Sequence, residues 1–300
     1  MLRVLTALIA AVSVGAPAAK AAPPTLGGCP VFPATNPWNR DVSRAPVHPR
    51  SDAYVRSINA GAKFLHADFG GDGAYGIPVK LVPRNQRRVP IRITDYPDES
   101  DPGPYPVPLN APVERGSDRH VLTLQRGTCR LYELFGARRS GVGWAAAQGS
   151  VFDLRSNRLR PAGHTSADAA GLPILPGLAR YDEMRRGAIR HALRFTVQRS
   201  QRAYIHPARH FASSSRDPDL PPMGLRLRLK RSYSLARFRG QSLVILRALK
   251  RYGMFAADNG SSWYVTGAAD RRWDDEDLNQ LKTVPGSAFE AVYTGRIRRG

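Results

Sequence analysis

Glycine, proline, asparagine and aspartate interrupt this chain at short intervals, and the apolar stretches between the breaks are correspondingly short. After the first two dozen residues nothing approaches the roughly 18 consecutive apolar positions that a membrane span requires. Residues 77–82, 89–94, 120–125, 128–135, 150–154, 189–197, 225–230, 254–257, 263–266 and 289–293 read as strands. Many short strands with turn punctuation predict a mostly β protein, an antiparallel, jelly-roll-like β-sandwich with two or three short helices; α+β is the alternative. The helices are expected at 52–60, capped by Ser51 and stopped by Gly61, at 241–252, stopped by Gly253, and at 274–282, capped by Asp274. Asp258-Asn259-Gly260-Ser261 between two apolar runs predicts a hairpin turn.

The N-terminus accounts for the one apolar run set aside above. Met1-Leu2-Arg3, an apolar stretch over 4–14 and the small-residue ending Ala19-Lys20-Ala21 follow the order of a secretory signal. Residues 1–21 are therefore expected to be removed and the mature protein to be secreted, outside the cell or in its envelope. Residues 22–50 are Pro-rich and read as an extended lead-in; no internal repeat or long linker divides 51–300, which is expected to be a single β-rich domain. The chain has two cysteines, Cys29 and Cys129. In an exported protein such a pair most simply forms a disulfide, with two free thiols as the alternative.

The formal charge is +21, and loss of Arg3 and Lys20 with the signal leaves +19. A field of that sign favours acidic partners such as anionic glycans. Export argues against nucleic acid, so the expected partner is an acidic or neutral polysaccharide. Of the 45 basic residues six are lysine, which leaves 39 arginines; a GC-rich genome would produce the same bias.

Histidines and carboxylates in apolar surroundings are the candidates for chemistry. If Arg126-Gly127 closes a two-residue turn, His120 faces Glu133 across a hairpin, and both share a face with Leu122, Leu124, Cys129 and Leu131. Thr123, Gln125, Thr128 and Arg130 then point outward. His191 likewise shares a face with Ile189, Leu193, Phe195 and Val197, with Arg190 and Arg194 outside. Convergence of His120, Glu133 and His191 would suit general acid–base work near neutral pH. Binding a divalent metal is a second reading, although no HxH or HExxH element supports it, and ordinary buried hydrogen bonding is a third.

Asp168, in a long irregular stretch that Thr165 or Ser166 can cap as one helical turn, and Glu183 are further catalytic candidates. Glu99 and Asp101, in a Pro-bounded acidic loop, Trp144, and the pair Arg180-Tyr181 are candidates for holding substrate. Arg226, Arg228 and Lys230 alternate with leucines and read as a solvated strand face. There is no GxSxG elbow, P-loop, Rossmann fingerprint or cysteine nucleophile setting, and no cofactor or metal is expected.

The strings CPVFPATNPWN, DESDPGPYP, SDRHVL, TSADAAGLPI and ALKRYGM together resemble a group of secreted bacterial proteins with no established activity, over nearly the whole mature chain. The resemblance implies export and a single domain and assigns no functional residue. The combined expectation is a secreted carbohydrate-active protein, a glycan hydrolase or lyase with a histidine–carboxylate site, against the alternative of a non-catalytic envelope or polysaccharide-binding module.

Overall fold

The computed structural model describes residues 22–71 and 75–300, so the expected signal peptide lies outside the described residues. In chain order the elements are β1 (Thr25–Leu26), β2 (Cys29–Pro30), α1 (Ser51–Asn59), β3 (Val79–Val82), β4 (Ile91–Ile93), β5 (Val121–Gln125), β6 (Arg130–Phe135), β7 (Arg138–Ser140), β8 (Gly143–Ala146), β9 (Gln148–Asp153), α2 (Tyr181–Arg185), β10 (Leu193–Val197), β11 (Ala203–Ile205), β12 (Arg226–Leu229), α3 (Gly240–Arg251), β13 (Met254–Asn259), α4 (Asp275–Asn279), β14 (Phe289–Val292) and β15 (Ile297–Arg299). The protein is mostly β with a few short helices. Two four-stranded sheets, β3-β5-β6-β9 and β10-β13-β12-β14, carry most of it, with β4-β8-β7 and two small ladders beside them. Three pairings, β3 with β5, β4 with β8 and β10 with β13, are parallel where antiparallel neighbours were expected.

Alternation of side chains along each strand sorts the core into layers. Leu122, Leu124 and Leu131 point from one face of the first sheet into a core that also contains Trp38, Phe255 and Ala257. Val121, Tyr132 and Leu134 point from the opposite face into a second core with Val89, Tyr105 and Trp144. Thr123 and Gln125, expected to face water, are therefore buried. On the second sheet, Leu227, Leu229, Met254 and Ala256 pack against Tyr54 and Ile58 of α1 and Ile245 and Leu249 of α3.

The hairpin between β5 and β6 differs from the two-residue turn expected. Gln125 pairs with Arg130 and Leu124 with Leu131, so the loop holds four residues, 126–129. Gly127 adopts φ 81° and Cys129 φ 55°, the left-handed conformations that close it. The register moves by two, which leaves every side chain on its expected face; a shift of one would have inverted them. Leu122, not His120, now lies opposite Glu133. Cys129 at the loop end is bonded to Cys29.

Residues 254–266 do not pair as a hairpin. β13 runs parallel to β10 on one side, while Val265 bridges Phe195 antiparallel on the other. The 258–261 turn thus carries the chain over β10 and encloses it.

The lead-in is part of the packed structure. Trp38 is buried against Phe255, and two strand arginines fasten the segment. Arg226 donates to the carbonyls of Pro37 and Arg40, each at 2.8 Å, and of Tyr252. Arg228 donates to Ala45 at 2.8 Å and Val42 at 2.5 Å, and to Glu290 at 2.8 Å. The face read as solvated is covered at two of its three basic residues, Arg226 being 1% exposed and Arg228 5%, while Lys230 is half-buried. Its guanidinium groups serve as caps for carbonyls that the irregular lead-in leaves without strand partners.

Candidate functional site

His120 stands one residue before β5, on the side of the sheet that faces the second one. Its Nδ1 donates to Glu114 Oε2 at 2.6 Å and its Nε2 to the Ala167 carbonyl at 3.0 Å. Both ring nitrogens face acceptors, so the ring satisfies them fully only when it carries both protons. Burial works against that charge, but the hydrogen bond and charge of Glu114 outweigh it and hold His120 above its ordinary value. In Glu114 burial is likewise outweighed by His120, which keeps the carboxyl below its ordinary range.

Glu133 lies on the same face and is fully buried. Its Oε1 accepts from the Ile174 and Leu175 amides and its Oε2 from Ile174, all at 3.0 Å. Those amides open the short 3-10 turn Leu175–Gly177. Burial, reinforced by the negative charge of Asp168, still pushes the Glu133 carboxyl up to about 7.

Asp168 belongs to no helical turn; its amide donates to Ser166 Oγ at 3.0 Å. Its carboxylate is clamped by Arg194 of β10, Nε to Oδ2 at 2.9 Å and Nη2 to Oδ1 at 2.7 Å, the fork geometry of a strong ion pair. Arg194 points into the protein and is 4% exposed, contrary to the outward reading, because β10 is covered on both faces. Asp258, at the turn that crosses β10, approaches the same guanidinium at 4.0 Å. Burial and the Asp168 charge raise its carboxyl to about 7, although 22% of the side chain reaches solvent.

His191 belongs to a different group. Its Nε2 donates to Glu183 Oε2 at 2.9 Å and its Nδ1 faces the Ala192 carbonyl at 2.8 Å. Arg180 Nη2 lies 2.7 Å from Glu183 Oε1. The charges of His191 and Arg180 overcome burial and keep Glu183 below its ordinary value. His120, Glu133 and Asp168 are thus brought together with Glu114, Arg194 and Asp258, while His191, Glu183 and Arg180 form their own cluster. Among the described residues no group of three or more His, Cys, Asp or Glu side chains is arranged to hold a metal ion.

The remaining substrate-binding candidates have mostly structural partners. Trp144 is buried in β8 and donates to Val107 O at 3.2 Å, so it presents no ring to solvent. Asp101 accepts from Arg160 at 2.5 Å and from the Val151 amide at 2.8 Å; Glu99 accepts from the Thr165 amide at 2.6 Å. Tyr181 is half-buried between Trp273 and Arg272, whose guanidinium lies 4.3 Å from its ring centroid. Sequence reading missed Glu114, Arg194 and Asp258. A lone arginine in the otherwise apolar strand 192–195 was the available signal for one of them.

Comparison of the chain with protein-family models, with curated proteins and with solved structures finds no match.

Proposed function

We propose that this is an exported protein that binds acidic polysaccharide without cleaving it. One observation carries the reading: neither His120 nor His191 has a free ring nitrogen. Each is at most 2% exposed and has both nitrogens against internal acceptors, whereas a general acid or base must reach the proton it moves. The net positive charge supports an acidic partner. The disulfide fits an oxidising compartment, and among the described residues no helix is long and apolar enough to cross a membrane.

A catalytic reading has one observation in its favour. Asp258 is the most solvent-accessible member of the ionic cluster, ahead of Glu114, and its carboxyl is poised near neutrality. Incubating the protein with neutral and acidic polysaccharides, with pull-down and reducing-end assays in parallel, separates the two. Capture of an acidic chain without new reducing ends is expected. Release of new ends that Asp258→Asn abolishes would replace binding by catalysis.

A further inference from the structure

Recognition of an acidic sugar needs a flat apolar face for the ring, hydroxyl-matching donors and acceptors, and a guanidinium for the carboxylate. Open concavities among the described residues differ in how many of these they offer. A 350 Å³ groove beside β9 is lined by Arg130, Arg158 and Arg160. Arg160 is already bound to Asp101 and to the carbonyls of Glu99 and Thr165, and the groove's one aromatic, Phe152, is buried. A 730 Å³ surface hollow along the lead-in holds Arg40 and Arg44, but also Asp41, which is paired with Arg251.

The third concavity, of 430 Å³, is lined by Tyr96, Arg202, His210, Phe211, Ser213 and Ser214 among others, and no carboxylate lines it. Phe211 is stacked with the His210 ring at 5.2 Å and 6° on the one hand and with the Arg202 guanidinium at 5.3 Å on the other. This stack holds the cation in place. The Arg202 backbone is tied at both ends, its N–H to Ser215 O at 2.6 Å and its C=O to the Gly300 amide at 3.2 Å. Its Nε has no hydrogen-bond partner among the described residues, and no ion pair of Arg202 is formed among them. That nitrogen is covered, so a ligand carboxylate meets the guanidinium at its two Nη groups, which donate no hydrogen bond among the described residues. His210 donates Nδ1–H to Ala169 O at 2.9 Å, which leaves Nε2 for a sugar hydroxyl. Ser213 Oγ accepts from the Ser215 amide and keeps its own proton to donate. Tyr96 is 44% exposed, so it offers the ring face that Phe211, already flanked, does not.

The geometry points to this concavity as the subsite for one uronic acid residue of the bound polysaccharide, its ring on Tyr96, its carboxylate on Arg202 and its hydroxyls on His210 and Ser213. The inference rests on the binding function proposed above. Titration of the mature protein with oligogalacturonate by calorimetry at about 150 mM salt, where long-range charge is screened, tests it. Tyr96→Ala and Arg202→Gln are each expected to weaken binding about tenfold or more, and Arg202→Lys nearly as much, because a lysine keeps the charge and loses the fork. Arg158→Gln removes the same charge from the groove beside β9 and is expected to change affinity less than about threefold, as a surface charge acting at a distance. Wild-type binding that survives Tyr96→Ala and both Arg202 substitutions, or that Arg158→Gln weakens equally, overturns the subsite and leaves the binding function standing. Absence of oligogalacturonate binding by a wild type that still captures another acidic polysaccharide overturns the uronic acid subsite alone, and capture of none of them overturns both. Thermal unfolding of each variant distinguishes lost contacts from lost fold; should Arg202→Gln unfold, Tyr96→Ala and Arg202→Lys decide.

Discussion

Glu133 is a carboxylate held where its charge is expensive, and the consequence is a stability that depends on pH. Its carboxyl titrates near 7 in the folded protein against an ordinary 4.5. Between those values the folded state retains the proton, so the contribution is complete below about pH 4.5 and is lost as pH rises toward 7. Asp258 acts in the same sense, and so does His120, whose raised value makes its contribution fade as pH climbs past it. Glu114 and Glu183, held low, act oppositely: their contributions are present at neutral pH and lost in acid. Glu133→Gln keeps an oxygen for the Ile174 and Leu175 amides and removes the titration. The variant is expected to lose less stability between pH 5 and 7 than the wild type, by up to about 1.4 kcal/mol per pH unit. Urea unfolding at stepped pH measures this, and parallel curves would refute it. Arg194→Met leaves Asp168 buried without its partner and is expected to cost about 3–5 kcal/mol; adding Asp168→Leu should recover much of that loss, which chemical denaturation of the single and double variants can show. That His120, Glu133 and His191 are buried was legible, because each shares a strand face with apolar residues. Their partners were not: the amides that hold Glu133 lie 41 and 42 residues away, and nothing in their sequence marks them as donors.

At the level of elements, the cystine is where two local structures depend on each other. Cys29 ends the small ladder of the lead-in and Cys129 ends the four-residue loop of the β5–β6 hairpin. The bond spans a sequence separation of 100, and its removal by Cys29→Ala with Cys129→Ala is expected to cost about 4–5 kcal/mol in the chain-entropy view. A midpoint of thermal unfolding unchanged by the double substitution would show that the lead-in is held without it. Nine of the ten segments read as strands overlap one and three helices lie where they were expected, with Asp274 capping α4, but β1, β2, β7, β8, β11 and β15 went unread and 263–266 forms only isolated bridges. The hairpin register was not readable, since a two-residue and a four-residue loop place the same side chains on the same face. The second arm of 254–266 was misplaced for a related reason: a turn sequence specifies a reversal of the chain and says nothing of whether a third strand lies inside it.

For the molecule as a whole, the excess of arginine divides into two populations with different work. Arg160, Arg180, Arg194, Arg226 and Arg228 are each no more than 6% exposed, clamping carboxylates or capping carbonyls where the chain is irregular. The remainder give the surface its field. Net charge alone, as read from sequence, therefore overstates what is available to a partner, and the sequence had no means of separating the two because burial of an arginine depends on contacts as distant as 189 positions, the span from Pro37 to Arg226. With only two cysteines in the chain, the oxidised monomer has a single connectivity. Oxidative folding has no mispaired intramolecular isomer to escape, so the first bond formed within a chain is also the native one, and a disulfide isomerase has nothing to correct except a link between two chains.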